Sequence, residues 1–195
     1  MESMAIADCL REQFPEEILQ TQTFQGQTAV IIRPGRVVDI LRWLRDAQAV
    51  RMNHLRSLCG VDNARRKDPN LSRFEVVYHL TSIPLRHEIR IRAQVPDEQP
   101  SIDSVVCLWA GANWLERETY DLMGIHFSNH PDLRRILLPE DWQGHPLRKE
   151  YPLKGREEWA GMTDLLHRVK ELDKFGFNPK AAASGQSSLT PEKQP

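Results

Sequence analysis

Three histidines, His126, His130 and His145, and two nearby carboxylates, Glu116 and Glu118, are the side chains of this 195-residue sequence whose types could do chemistry. His126 and His130 stand four apart, and on a helix two such imidazoles share one zinc ion. Gly124 stops the helix before His126 and Pro131 follows His130 directly, so the element that would make them a ligand pair is missing. Glu116 and Glu118 stand two apart, and on a helix they point different ways instead of converging as acid and base. No G-x-S-x-G, P-loop, G-x-G-x-x-G or cysteine cluster occurs, so nucleophilic, nucleotide and iron–sulfur chemistry carry no signal. Cys9, Cys59 and Cys107 are far apart, without C-x-x-C spacing, and read as small buried apolar residues.

What remains in this region is a ribbon of mixed character. Arg134-Arg135 and Arg148-Lys149 are set against Asp132, Glu140-Asp141 and Glu150, with Trp142 and Tyr151 between them. Arginines and large aromatics beside aliphatic anchors are the composition of a buried protein interface. Pro131, Pro139, Pro146 and Pro152 exclude a long helix or a central strand, so the segment is expected to run extended. Leu133, Ile136, Leu137, Leu138, Leu147 and Leu153 are too much apolar surface for a solvated linker. The ribbon lies on its own domain or on a partner. A reach of ~70 Å from Asp132 to Leu153 exceeds what one small domain needs and favours the partner.

The elements that must position these residues come earlier in the chain. Ile6, Leu10 and Phe14 recur every four residues, and Ser3 is placed to cap a first helix. A strand over Thr28 to Ile32 leads into a second helix, where Val37, Ile40, Leu41 and Leu44 follow the i, i+3, i+4, i+7 pattern. Leu55 to Val61 and Ser101 to Leu108 read as further strands. Phe74, Val76, Tyr78 and Leu80 share one parity, as do Leu85, His87, Ile89, Ile91 and Ala93 beyond the Ser82-Ile83-Pro84 turn, which predicts a hairpin. His87 on the apolar face reads as a satisfied core histidine. The opposite face, with Arg73, Glu75, Arg86, Glu88, Arg90 and Arg92, is expected to meet water or a partner. Asn113 and Glu116 have capping-box spacing for a third helix that Gly124 ends, and within it Arg117 and Asp121 are spaced to pair. Leu165, Leu166, Val169 and Leu172 look helical, and 181–195 reads as a polar, disordered tail. The fold class is α+β, helices packed on one antiparallel or mixed sheet, followed by an extended proline-rich C-terminal arm. The expected division is 1–125 for the domain, 126–155 for the arm and 156–195 for the tail.

With 26 basic and 27 acidic side chains, no field gathers nucleic acid, and the Arg65-Arg66-Lys67 run reads as a solvated loop. No apolar run approaches the ~20 residues that cross a bilayer. The amino-terminal Met1-Glu2-Ser3, with no basic flank and no apolar run, does not read as a secretory signal.

The residues also resemble a known family. Glu116-Arg117-Glu118, Asp121, Leu122-Met123, His130, Arg134 and Ile136-Leu137 fit, at every position, the signature of the C subunit of respiratory complex I, the proton-pumping NADH:quinone oxidoreductase. Asp141-Trp142-x-Gly144-His145-Pro146-Leu147-Arg148-Lys149 is similar to the same family, as is Leu55-x-x-Leu58-x-Gly60-Val61-Asp62. The resemblance implies a non-catalytic structural subunit of the peripheral arm, on the cytoplasmic side of the bacterial inner membrane, with membrane contact only through the complex. It implies no cofactor in this chain, and iron–sulfur clusters, FMN and quinone in partner subunits. The partners would be the large quinone-site subunit and neighbouring iron–sulfur subunits, met through Arg134, Arg135, Trp142, His145, Leu147, Arg148, Lys149 and Tyr151. Two alternatives stand beside it: the homologous subunit of a membrane-bound hydrogenase or other-donor complex, and a stand-alone metal-dependent hydrolase using His126, His130 and His145.

Overall fold

The computed structural model of the chain describes residues 2–66, 71–153, 159 and 161–172. They fall in two compact units, Met1–Lys154 and Gly155–Pro195. Lys67 and the stretch 181–195 lie outside the described residues.

The first unit is α+β. Its elements run α1 (Ser3–Gln13), β1 (Ile18–Phe24), β2 (Gln27–Ile32), α2 (Val37–Asp46), β3 (His54–Asp62), β4 (Phe74–Ser82), β5 (His87–Val95), β6 (Ser101–Asp103), α3 (Ala112–Met123) and β7 (His126–Ser128). Five strands form a mixed sheet in the order β1-β2-β5-β4-β3, in which β2 and β5 are parallel and the other neighbours antiparallel. β6 and β7 pair in parallel beside it.

The core forms on one side of the sheet, where the parity pattern of β4 and β5 places Phe74, Val76, Tyr78, Leu80, Ile89, Ile91 and Ala93. Val37, Ile40, Leu41 and Leu44 of α2 and Ile6, Ala7 and Leu10 of α1 close it from above. His87 belongs to this core, with Nε2 2.6 Å from Val50 O. β1 is a polar edge strand, joined to β2 through Gln25 and Gly26, both at positive φ (49° and 76°), as a two-residue hairpin turn requires.

Several local expectations change. Ser3 does not cap α1; its hydroxyl donates to Glu88 O on β5 at 2.8 Å, tying the helix to the sheet. The capping box at Asn113 and Glu116 does not form, because α3 starts at Ala112 with Gly111 in the cap position. Glu116 therefore sits one turn inside the helix and faces the preceding loop. The strand expected over Ser101 to Leu108 ends at Asp103, where Ser104 and Val105 turn away toward Glu116.

The outer face of the hairpin is not simply charged and solvated. Glu75 is fully buried and Arg92 nearly so, joined by Nε–Oε2 and Nη2–Oε1 contacts of 3.0 and 2.9 Å. Gln22 accepts from Arg92 at 2.8 Å, and Gln94 links Glu75 (2.6 Å) to the backbone N–H of Ser72 (2.5 Å), so the turn into β4 covers the pair. The cysteines are not buried either. Cys59 faces outward from β3 and Cys107 lies in the turn before α3, both exposed, while Cys9 is half-buried.

Residues 129–153 contain turns and bends but neither helix nor strand. In the second unit, α4 (Met162–Leu172) carries Leu165 and Leu166 exposed.

Candidate functional site

The signature residues gather around α3, which lies along β3 because Gly60 admits it. A side chain at Gly60 would bring a Cβ within 2.9 Å of Thr119 Cγ2 and 3.1 Å of Met123 Cγ. Gly124, in the left-handed conformation at φ 69°, ends α3.

A helix end leaves carbonyls without intrahelical partners. Here the following segment supplies them all from one short stretch. His145 Nδ1 donates to Asp121 O at 2.9 Å and the Leu147 N–H to Leu122 O at 3.0 Å. Arg148 donates through Nε to Met123 O at 2.7 Å and through Nη2 to Gly124 O at 3.3 Å. Its guanidinium also complements the negative end of the helix. Burial lowers the His145 pKa first, and the adjacent Arg148 and Arg135 add to that against the bond to Asp121.

Asp121 is the centre of the arrangement. Its Oδ2 accepts the backbone N–H groups of Ile136, Leu137 and Leu138 at 3.0, 2.7 and 2.9 Å, and its Oδ1 meets Arg135 Nη1 at 2.7 Å. Burial pushes this carboxyl up, yet the Leu138 N–H, the Arg135 guanidinium and the N–H groups of Ile136 and Leu137 together hold it below its ordinary value. Arg135 also donates through Nη2 to Trp142 O (3.0 Å) and Gly144 O (3.3 Å), so one ion pair fixes the path from 135 to 144. The expected Arg117–Asp121 pair is not made. Arg117 stacks over Trp114 at 5.2 Å and donates to Arg134 O and Arg135 O at 3.2 and 3.3 Å.

On the other side of α3, Glu116 is fully buried. It accepts the Ser104 hydroxyl at 2.6 Å and the Val105 N–H at 2.7 Å, but burial outweighs both and raises its pKa to about 7. His130 Nδ1 accepts the Asp132 N–H at 3.0 Å, which leaves Nε2 to donate to Asn113 O at 3.3 Å; Nε2 stands 3.9 Å from Glu116 Oε2. A third anchor, absent from the sequence expectations, is Asp62, which accepts the Lys149 N–H at 2.8 Å and the Ala64 N–H at 2.9 Å. Arg73 stands 3.6 Å from Asp62 and pairs with Glu150 and, at 3.3 Å, with Asp97. The sequence signal for this anchor was Asp62 closing the Leu55 to Asp62 resemblance. Arg73 stood out only as one charge of the hairpin's outer face, and nothing marked Ser104.

The remaining signature and interface residues are spread over the surface. Glu118 is exposed, Leu122 and Ile136 are half-buried, Met123 is buried, and Arg134 is exposed beside Asp132 at 3.0 Å. Leu137 and Leu147 are 61% and 53% exposed, Lys149 is exposed, and the half-buried Tyr151 ring packs beside Gly144. Trp142 is half-buried with its indole N–H out of water and unpaired. The three histidines do not converge. His126 lies exposed on β7, and His130 and His145 bond different carbonyls. Among the described residues no group of three His, Cys, Asp or Glu side chains could hold a metal ion. The hydrolase alternative is not favoured.

A scaffold of this kind, with its signature polar groups bonded within the chain, invites comparison with known proteins. The family model described as respiratory-chain NADH dehydrogenase, 30 Kd subunit, matches residues 30–157. The chain belongs to this family. The 30 kDa-subunit assignment is carried further by the C subunit of the NADH-quinone oxidoreductase of Geobacter sulfurreducens, 49% identical over 154 residues, covering 78% of this chain and 92% of that protein. The corresponding protein of Hyphomonas neptunium is 40% identical over 172 residues, 87% and 82% of the two chains. Among solved structures, the trypsin-resistant fragment (1-134) of Nqo5 superposes with a TM-score of 0.59 at 32% identity, over 68% of this chain and all of the fragment. A chain of a membrane-bound sulfane sulfur reductase, an archaeal respiratory membrane complex, shares the fold at a TM-score of 0.63 and 17% identity, covering 92% and 98% of the two chains. The chain is thus a C subunit of NADH-quinone oxidoreductase by family, and among its described residues no helix is long and apolar enough to cross a membrane.

Proposed function

We propose that the chain is a non-catalytic structural subunit of the peripheral arm of a proton-translocating NADH:quinone oxidoreductase, and that it holds the quinone-site subunit through the outward face of residues 129–153. The observation that carries this reading is the division of labour within that segment. Arg135, His145 and Arg148 are bonded to α3, whereas Leu137, Leu147, Arg134 and Lys149 are turned outward. Trp114 on α3 is also 62% exposed. A segment held by its polar groups and showing its leucines is a rigid presenting surface, and pre-organisation lowers the ordering cost of association.

In this reading FMN, iron–sulfur clusters and quinone reside in partner subunits, the neighbours include iron–sulfur subunits, and the chain sits on the cytoplasmic side of the inner membrane, reached only through the complex. Photo-crosslinking tests it. With a photoreactive group on Leu147→Cys in the assembled complex, the adduct is expected on the large quinone-site subunit. Adducts confined to this chain would overturn the reading.

A further inference from the structure

The outer face of the sheet holds a second surface, remote from α3 in its chemistry. Strands β3, β4 and β5 line a cleft there with Cys59, Glu75, His79, Arg90 and Arg92, and Arg66 borders it from the loop after β3. The lining carries three arginines and one carboxylate. That carboxylate is already bonded to Arg92 and Gln94, in a pair taken out of water. His79 and Arg90 also border an adjoining cavity with Arg56, which pairs with Glu88 at 3.2 Å. Partial burial first, and then Glu118 of α3, raise the Cys59 thiol pKa against the opposing Arg90.

The whole chain is charge-balanced at -1, so this local excess of base runs against its average. Burial first, then Arg90 and Arg56, hold His79 below its ordinary pKa against the opposing Glu88. Arg90 is poised but undercommitted. Its Nη2 donates to Gln27 at 2.6 Å, while Nε is out of water with no hydrogen-bond acceptor.

We propose that this cleft docks an acidic segment of a neighbouring subunit, with Arg66 and Arg90 receiving its carboxylates and the Arg92–Glu75 pair as a fixed floor. Guanidinium groups match carboxylates bidentately, and a floor whose own charges are paired makes no competing demand on the incoming acid. An occupant of opposite charge is what this field selects. The inference rests on membership of an assembled complex, as proposed above, but concerns a different surface.

The test uses the full chain with Cys9→Ser and Cys107→Ser, so that Cys59 is its one thiol, both in the purified complex and alone. Alkylation of Cys59 at one pH is expected to be at least about tenfold slower in the complex. Arg66→Lys, a conservative change at an exposed position, then supplies an amine for a zero-length carbodiimide, and an amide bond from position 66 to an Asp or Glu of another subunit is expected. Equal alkylation in both states overturns the proposal, as does a crosslink confined to this chain's own acids or no crosslink. If the chain does not co-migrate with the complex at all, the proposed function itself fails and takes this inference with it. Assembly with a freely reactive Cys59 sinks the docking cleft alone.

Discussion

Asp121 shows how one side chain organises a segment that has no regular hydrogen-bond ladder of its own. A carboxylate that accepts three backbone N–H groups and an arginine replaces, for residues 135–138, the ladder a strand would have supplied. Asp121→Ala takes the carboxylate from the half-buried Arg135, which keeps only its backbone carbonyl partners, and leaves three N–H groups unpaired; it is expected to cost about 3 kcal/mol or more in urea unfolding. The pKa of Asp121 is depressed in the fold, so its contribution is present above the ordinary carboxylate range and lost as pH falls through the depressed value. Glu116 has the opposite sign. Its pKa is raised to about 7, so the contribution of its neutral form is full below its ordinary 4.5 and is lost as pH rises through about 7. The difference is on the order of 3–4 kcal/mol at one pKa unit per ~1.4 kcal/mol. Glu116→Gln keeps an acceptor for the Val105 N–H and a donor for Ser104. Melting curves should therefore show the variant gaining stability over the parent between pH 5 and 8.5; parallel pH profiles would contradict the raised pKa.

At the scale of elements, the join between α3 and the following segment depends on Gly124. A Cβ there would stand 2.5 Å from the His145 ring and 2.6 Å from Arg148 Nη2, on a backbone at positive φ. Gly124→Ala is expected to destabilise by about 1–3 kcal/mol and to raise proteolysis within 140–150, measured by limited digestion. A variant as stable and as resistant as the parent would mean that the join is not tight. The elements most legible in the sequence were those fixed by strong periodicity: α2 through Val37, Ile40, Leu41 and Leu44, and the β4–β5 hairpin through its alternation. β1 left little trace, because an edge strand reading Ile-Leu-Gln-Thr-Gln-Thr-Phe buries little and so needs no apolar alternation. The capping box did not form because α3 starts at Ala112, one residue before Asn113, and Glu116 turns to Ser104 and Val105 instead. The charged face of the hairpin misled likewise, because parity assigns a side chain to a face but cannot show that the turn into β4 and Gln22 cover Glu75 and Arg92. Around the site, the family signature named Asp121 and Arg134 and the basic run named Arg135, yet which acid meets which base depended on how residues 129–153 fold back along α3.

At the scale of the whole molecule, the segment 129–153 has two faces with different work. The inner face completes the end of α3, while Leu137, Leu147 and Lys149 anchor the segment through their backbone N–H groups and leave their side chains exposed. Stability and assembly should therefore separate by mutation. Truncating or charging a central apolar anchor can cost ~2–4 kcal/mol of binding, whereas an exposed leucine contributes little to the isolated fold. The most direct measurement pairs the melting temperature of the isolated Leu137→Asp/Leu147→Asp chain with the yield of assembled complex when that chain replaces the parent in cells, read by native electrophoresis. Melting within about 2 °C of the parent, as for surface substitutions of a few tenths of a kcal/mol, is expected together with a severalfold loss of complex. Parental levels of complex, or a loss of complex no greater than a parallel drop in melting temperature explains, would contradict it.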